Sequence, residues 1–239
     1  SGSGSPITPE GGVAQGGAES LAGLVLTTLK NPAARFIYGA NTTSADMRTT
    51  SVCYGAPEWP KTVAIYAEQG KRYQLPTWGT AGCTDAHRLD AQAAFEAYEG
   101  ILLALQSGTT LAHDVGYLAY GSLYDARFLI LCDTMIGRAK HLLRPLDLSE
   151  DVLGLEAIEE ASRTSMPFLA LEHTARHFRD SLWMPPAFIN RSKMESYDTE
   201  RPLNDLLGDE VTRILDSHRP QPLSDSVASA IDDYLAGTE

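Results

Sequence analysis

Cysteine is scarce in this chain and never closely spaced. Cys53, Cys83 and Cys132 are the three in 239 residues, an odd number with no CxxC pair. That pattern argues against a disulfide framework and against a cysteine zinc site, and it fits a reducing cytoplasm. Basic charge is also short: 19 Lys plus Arg face 31 Asp plus Glu, a formal net charge of −12. A pI near 4.9 argues against a nucleic-acid binder, which presents a basic face, and against a protein held on anionic lipid. Long apolar runs are missing too. None exceeds five residues, as in Ile101 to Leu105, far below the ~20 residues that span a bilayer. Ser1 to Ser5 alternate Ser and Gly, without the basic segment and apolar core of a signal peptide. Neither a Walker loop nor a GxGxxG with a following acid is present. What remains is 43% apolar and 21% charged residues, the composition of a folded globular chain. The length suits one large domain, or one domain with an extension.

Short strand-like runs alternate with longer helical ones. Arg35–Gly39, Tyr73–Gly79 and Thr109–Asp114 are β-branched or aromatic, and each precedes a glycine-bearing loop and a helical stretch. Such a repeat predicts βαβ units around a parallel sheet. Helices are expected over about Gly17–Leu29, stopped by Asn31-Pro32, and over about Glu58–Gly70, Leu89–Gln106 and Asp125–Leu143. The third carries Leu89, Ala93, Ala97, Gly100 and Ala104 near one face, a small-residue stripe suited to close packing on a sheet. From Ser149 onward no clean βα unit recurs. Helical segments are broken there by Pro185-Pro186, Pro202, Pro220 and Pro222, and the last, Ser224–Leu235, ends before Gly237. The expectation is an α/β fold of four βα units over residues 1–148 and a helical extension over 149–239. Four units are half of a (β/α)8 barrel, whose two open edges call for a second chain or a longer polypeptide. An open doubly wound sheet is the structural alternative.

In parallel α/β folds sites lie at the carboxyl ends of strands. Three loops qualify: Tyr38–Asn41 running on to Asp46-Met-Arg48, Trp78–Asp85, and His113–Tyr117 running on to Tyr120. Cys83 beside Asp85 reads either as a reactive thiol with a carboxylate, or as a small buried residue with an acid capping a helix near Arg88. His113-Asp114 reads as an acid–base or hydrogen-bonding pair, or as a satisfied imidazole with a loop cap. Neighbours on a strand face opposite ways, so one of the two is expected in a pocket. Tyr38, Trp78, Tyr117 and Tyr120 are either core aromatics or faces for a methylated ammonium. His173 and His177 have the i, i+4 spacing of metal ligands, but without HExxH a structural helix end is favoured over a metal site.

At these same segments the chain resembles the trimethylamine–corrinoid methyltransferase family, which includes glycine-betaine-type members. The matching stretches are Ser5-Pro-Ile-Thr8, Ala18–Leu26, Asn31-Pro32, Ile37-Tyr-Gly39, Asp46–Thr49, Gly55–Glu58, Leu75–Asp85, Asp90-Ala-Gln92, Ser107-Gly108 and His113–Gly116. Glu172-His-Thr174, His177-Phe-Arg179 and Trp183 follow in the extension. On this match Ser1 to Ser5 is native chain. The resemblance implies a TIM barrel with a C-terminal helical extension, in a protein about twice this length. This sequence would be the second barrel half plus the extension. It further implies methyl transfer from a methylated amine, trimethylamine or a quaternary amine such as glycine betaine, to the Co(I) of a corrinoid on a separate protein. The enzyme itself would hold no corrinoid and no metal. One branch of the family carries pyrrolysine in a strand-end loop, and Cys83 falls at or beside that position. The chain would then act on a quaternary amine, use another mechanism, or be inactive. On this reading Cys83, Asp85, His113 and Asp114 are the catalytic candidates, and Tyr38, Trp78 and Tyr117 the substrate-binding ones. Asp85 and Asp114 would supply ammonium electrostatics, the aromatics would face the methyl groups, and His113 would hydrogen-bond. A homo-oligomer or a complementing barrel half is expected. The rivals are a non-catalytic fragment or assembly subunit, and a barrel enzyme of other chemistry using Cys83.

Overall fold

A computed structural model describes residues 1–194 and 200–237. It is a mixed α/β structure with short parallel and antiparallel pairings. Helix α1, Pro9–Lys30, begins earlier than its sequence pattern predicts. The Thr8 side chain accepts from the Gly11 N–H and Pro9 occupies the first turn, where a missing N–H costs nothing. The Gly-rich first half has low helix propensity, which hid it. Its small residues are nonetheless useful, because Gly12, Val13 and Gly17 form the buried side of the helix.

A hairpin of β1, Ser44–Ala45, and β2, Val52–Cys53, follows. Helix α2, Glu58–Tyr73, takes in Tyr73, the residue at which the sequence predicted a strand to start, and ends on Gln74 in a left-handed conformation at φ 57°. Strand β3 is then only Trp78–Thr80 and pairs in parallel with β4, Leu111–His113. The predicted run at 35–39 contracts to one parallel bridge, Tyr38 with Thr77. Between β3 and β4 runs α3, Ala91–Ser107, capped by the Asp90 side chain and closed at Gly108 with φ 75°. Ala93, Ala97, Gly100 and Ala104 are buried on it, as the small-residue stripe requires.

A second hairpin, not anticipated from sequence, joins β5, Tyr117–Leu118, to β6, Leu123–Tyr124. Helix α4, Ala126–Leu142, is capped by Asp125 and packs on α3. The extension contains α5 (Glu150–Leu153), α6 (Leu155–Thr164), α7 (Glu172–Ser181), α8 (Leu203–Ser217) and α9 (Asp225–Ala236). Helix α8 lies on α4 and sends Leu207 into the cluster of Ile101, Phe128, Leu131 and Cys132. Each large side chain so buried contributes about 1.5–3 kcal/mol. The Trp183 ring meets the guanidinium groups of Arg138 on α4 and of Arg191 at 5.5 and 5.8 Å, and through Arg138 touches α4. Among the described residues no helix is long and apolar enough to cross a membrane.

Candidate active site

Pairing register decides which strand residues share a face. Trp78 opposes Leu111 and Thr80 opposes His113, so these four project to one side. Gly79 projects to the other, where a Cβ would stand 2.5 Å from Val63 of α2. Only glycine lets that helix sit so close. Trp78 and His113 meet across the strands with ring centroids 5.2 Å apart and planes tilted by 32°.

Tyr38 is not part of that group. Its partner in the bridge is Thr77, one residue out of phase with Trp78, so its ring turns toward the helices. It is 1% exposed and donates to Gln69 Oε1 at 2.8 Å. The rings of Tyr66 and Tyr73 meet it edge-on at 6.1 and 5.4 Å. Burial first, then the neighbouring Tyr73 and Tyr66, push its phenol up to about 12. Tyr38 therefore clamps α1 and α2 to the sheet. Asp46 likewise closes its own turn, accepting from the Arg48 and Thr49 N–H groups and pairing with the Arg48 guanidinium.

Beyond β3 the chain gathers acids. Asp85 Oδ1 accepts the Tyr54 N–H at 2.6 Å. Burial raises its pKa against the pull of the Tyr54 and Gly55 N–H groups, and Glu96 adds to the rise. Glu96, on α3, accepts from the Thr84 hydroxyl and from the Asp85 N–H, the latter at 3.0 Å. Asp114 follows β4 at φ 65°, and its Oδ1 lies 3.0 Å from His113 Nδ1. Both side chains of that pair are partly open to solvent.

Cys83 is 5% exposed and packs with Trp59, Val63 and Tyr54. Burial pushes its thiol up, and the carboxylates of Asp114 and Asp85 push further. A nucleophilic cysteine needs an electropositive, accessible setting; this one is a neutral thiol in an apolar wall. Tyr117 bridges to Cys83 through the backbone and turns its exposed ring edge-on to Tyr124 at 5.9 Å. The structure thus brings Trp78, His113 and Asp114 together, sets Cys83 within reach of the Asp114 and Asp85 charges, and places Tyr117 on the adjoining hairpin.

The sequence reading passed over Tyr54, His87 and Glu96. Tyr54 is half-buried against Trp59, and its phenol is raised by burial and by the nearby Asp114. Glu96 had a signal: three residues after Ala93 and four before Gly100, it is a carboxylate on the buried stripe of α3. In the extension, His173 and His177 stack at 4.5 Å and both reach Asp151, His173 Nε2 at its carbonyl and His177 Nε2 3.2 Å from its carboxylate. Among the described residues no group of three or more His, Cys, Asp or Glu is placed to hold a metal ion.

The class these elements define is a mixed α/β protein with aromatic rings and carboxylates gathered around its one described parallel strand pair. The chain belongs to the trimethylamine methyltransferase (MTTB) family, whose model matches residues 1–239. It is 27% identical over 242 residues to the trimethylamine methyltransferase MttB of Desulfitobacterium hafniense (strain DSM 10664 / DCB-2), a match covering 100% of this chain and 48% of that protein. To the glycine betaine methyltransferase of Desulfitobacterium hafniense (strain Y51) it is 28% identical over 199 residues, 83% of this chain and 40% of that one. The trimethylamine methyltransferase MttB of Methanosarcina barkeri (strain Fusaro / DSM 804) is 30% identical over 174 residues, 73% and 35% respectively. The chain spans about half or less of the length of these curated relatives.

Proposed function

We propose that this chain carries the amine-binding rim of a methyltransferase that moves a methyl group from a methylated amine to the Co(I) of a corrinoid on a separate protein. The observation that carries the reading is the contact of the Trp78 ring, at the start of β3, with His113, which ends β4, and Asp114 beside it. In the transfer, Co(I) supplies the electron pair of the new bond to carbon while the C–N bond breaks and the nitrogen keeps its pair. For a quaternary donor the leaving group is a neutral amine. Positive charge on nitrogen disperses as it leaves, so an ion pair in direct contact would hold the ground state more tightly than the transition state. Aromatic faces and carboxylates set back behind them suit the task better. Trp78 and Tyr117 face the methyl groups, Asp114 and Asp85 supply the field, and His113 holds Asp114 in place.

Asp114→Asn tests this directly. Asn tolerates the left-handed backbone as Asp does, so the turn survives while the charge goes. Amine-dependent methylation of the corrinoid carrier, followed by its visible spectrum, should fall about tenfold, as expected for one partly screened charge. Turnover at the unaltered level rejects the role.

In the same reading residues 1–148 are half of a (β/α)8 barrel, 149–239 are its helical extension, and the barrel is completed by another polypeptide segment or a second copy. The support is surface. The chain exposes 16,239 Å², against roughly 10,500 Å² for a self-contained monomer of its mass. Parallel sheets are normally covered on both faces, yet β4 is exposed along its length.

A further inference from the structure

Three exposed tyrosines stand on the eight residues of the β5–β6 hairpin. Tyr117 and Tyr124 oppose each other in its register, and Tyr120 sits in its turn, 43% exposed. That turn is left-handed through three consecutive residues: Ala119 at φ 48°, Tyr120 at 49° and Gly121 at 86°. Glycine adopts this conformation freely, but Ala and Tyr lose about 1–2 kcal/mol each in it. Such strain persists where surrounding structure over-determines it, and it concentrates at functional sites.

Two bonds impose it here. The Ala119 N–H donates to the Ala86 carbonyl at 2.9 Å, and the Tyr120 N–H to the Thr84 carbonyl at 3.0 Å. The turn is thereby stapled to the loop that carries Asp85. Gly121 approaches the Tyr54 ring, where a Cβ would stand 3.1 Å away. The Tyr120 ring meets His87 with centroids 6.4 Å apart and planes at 70°. One of these two nearly perpendicular rings is on the carboxylate-bearing loop and the other is stapled to it, a paired aromatic surface of the kind that takes a methylated ammonium by cation–π contact.

Resting on the reading above, we propose that Tyr120 is a specificity-determining residue for the methylated ammonium, presenting its ring with His87 beside the loop that carries Asp85. A hydroxyl is not needed for this role; a ring is. Packing alone does not account for it either, because an exposed aromatic in a strained turn gains little burial in return.

Calorimetric titration of the 239-residue chain with tetramethylammonium and with glycine betaine tests the proposal. Tyr120→Ala should weaken both by about 2- to 30-fold, the range of a single cation–π contact, and Tyr120→Phe should restore binding. Tyr120→Gly should bind no better than the Ala variant but melt at a higher temperature, because glycine relieves the turn. Equal binding by Tyr120→Ala and the unaltered chain overturns the proposal and leaves the methyltransferase reading standing. Loss of methyl transfer with ammonium binding unchanged also overturns it, placing the hairpin against the corrinoid carrier instead. Absence of ammonium binding by the unaltered chain overturns the proposal, and the methyltransferase reading is then judged by methylation of the corrinoid carrier.

Discussion

Asp114 owes its place to a backbone conformation that side chains rarely adopt, and this separates its structural role from its electrostatic one. At φ 65°, Asp114→Gly should leave stability unchanged or raise it, while Asp114→Ala should lower it by about 1 kcal/mol, measured by urea unfolding. Asp85 titrates above its ordinary 3.8 because burial disfavours its charge. The folded protein therefore binds a proton there more tightly than the unfolded chain. The stability this gives is complete below about pH 4 and is lost as pH rises through the raised value. Asp85→Asn keeps an acceptor for the Tyr54 N–H and removes the titration, so the decline in stability as pH rises above about 4 should flatten. An unchanged pH profile would show that the carboxyl is not desolvated. The thiols differ by environment as well. Burial pushes Cys132 up to about 12 and raises Cys83, whereas Cys53 is only half-buried. Iodoacetamide at pH 8.5 should label Cys53 well before the other two, read by peptide mass; equal labelling of Cys83 would reopen a nucleophilic role for it. None of this was legible in the Trp78–Asp85 loop itself, which left both a reactive thiol and a buried one open. The answer came from Trp59, Val63 and Tyr54, residues brought in from elsewhere in the chain.

At the scale of elements, local chemistry did better for helices than for strands. The Asp90 cap, the Gly108 stop and the small-residue stripe of α3 are all present in sequence and all realised. Gly100 lies in that helix with its nearest neighbour, Ala81 Cα, 3.7 Å from where a Cβ would be. Gly100→Ala should therefore fit and stabilise the chain by about 0.5–1 kcal/mol through helix propensity. Gly79→Ala should do the opposite, since Val63 leaves no room, and cost about 1–3 kcal/mol; thermal melts of the pair give the contrast. Strands escaped the sequence because they are two or three residues long, too short for a period of two to emerge. The run at 35–39 has the composition of a strand, but only Tyr38 finds a bridging partner there. The β5–β6 hairpin escaped because its turn uses Ala and Tyr in left-handed conformations instead of the Asn-Gly type that marks such turns.

For the whole molecule the open question is what covers the surplus surface. Leu111 of the edge strand β4, Leu146 and Leu148 after α4, and Leu169 and Met184 of the extension are all largely exposed, and apolar surface gathered in patches marks association. Sedimentation of the isolated chain should give a mass above 25.9 kDa, or, where it stays single, strong binding of a hydrophobic dye. A monodisperse monomer with no dye binding would reject the split-barrel arrangement.

Composition, caps and spacing by themselves determined that this chain folds as α/β, where its principal helices run, and which loops hold aromatic and acidic groups. Those properties follow from local periodicity and from residue chemistry a few positions apart. Tertiary structure decided the rest: that Tyr38 turns away from Trp78, that Cys83 is a neutral wall residue, and that Tyr120 stands over His87. Each depends on strand register or on burial by distant segments, and neither is encoded in any short window of sequence.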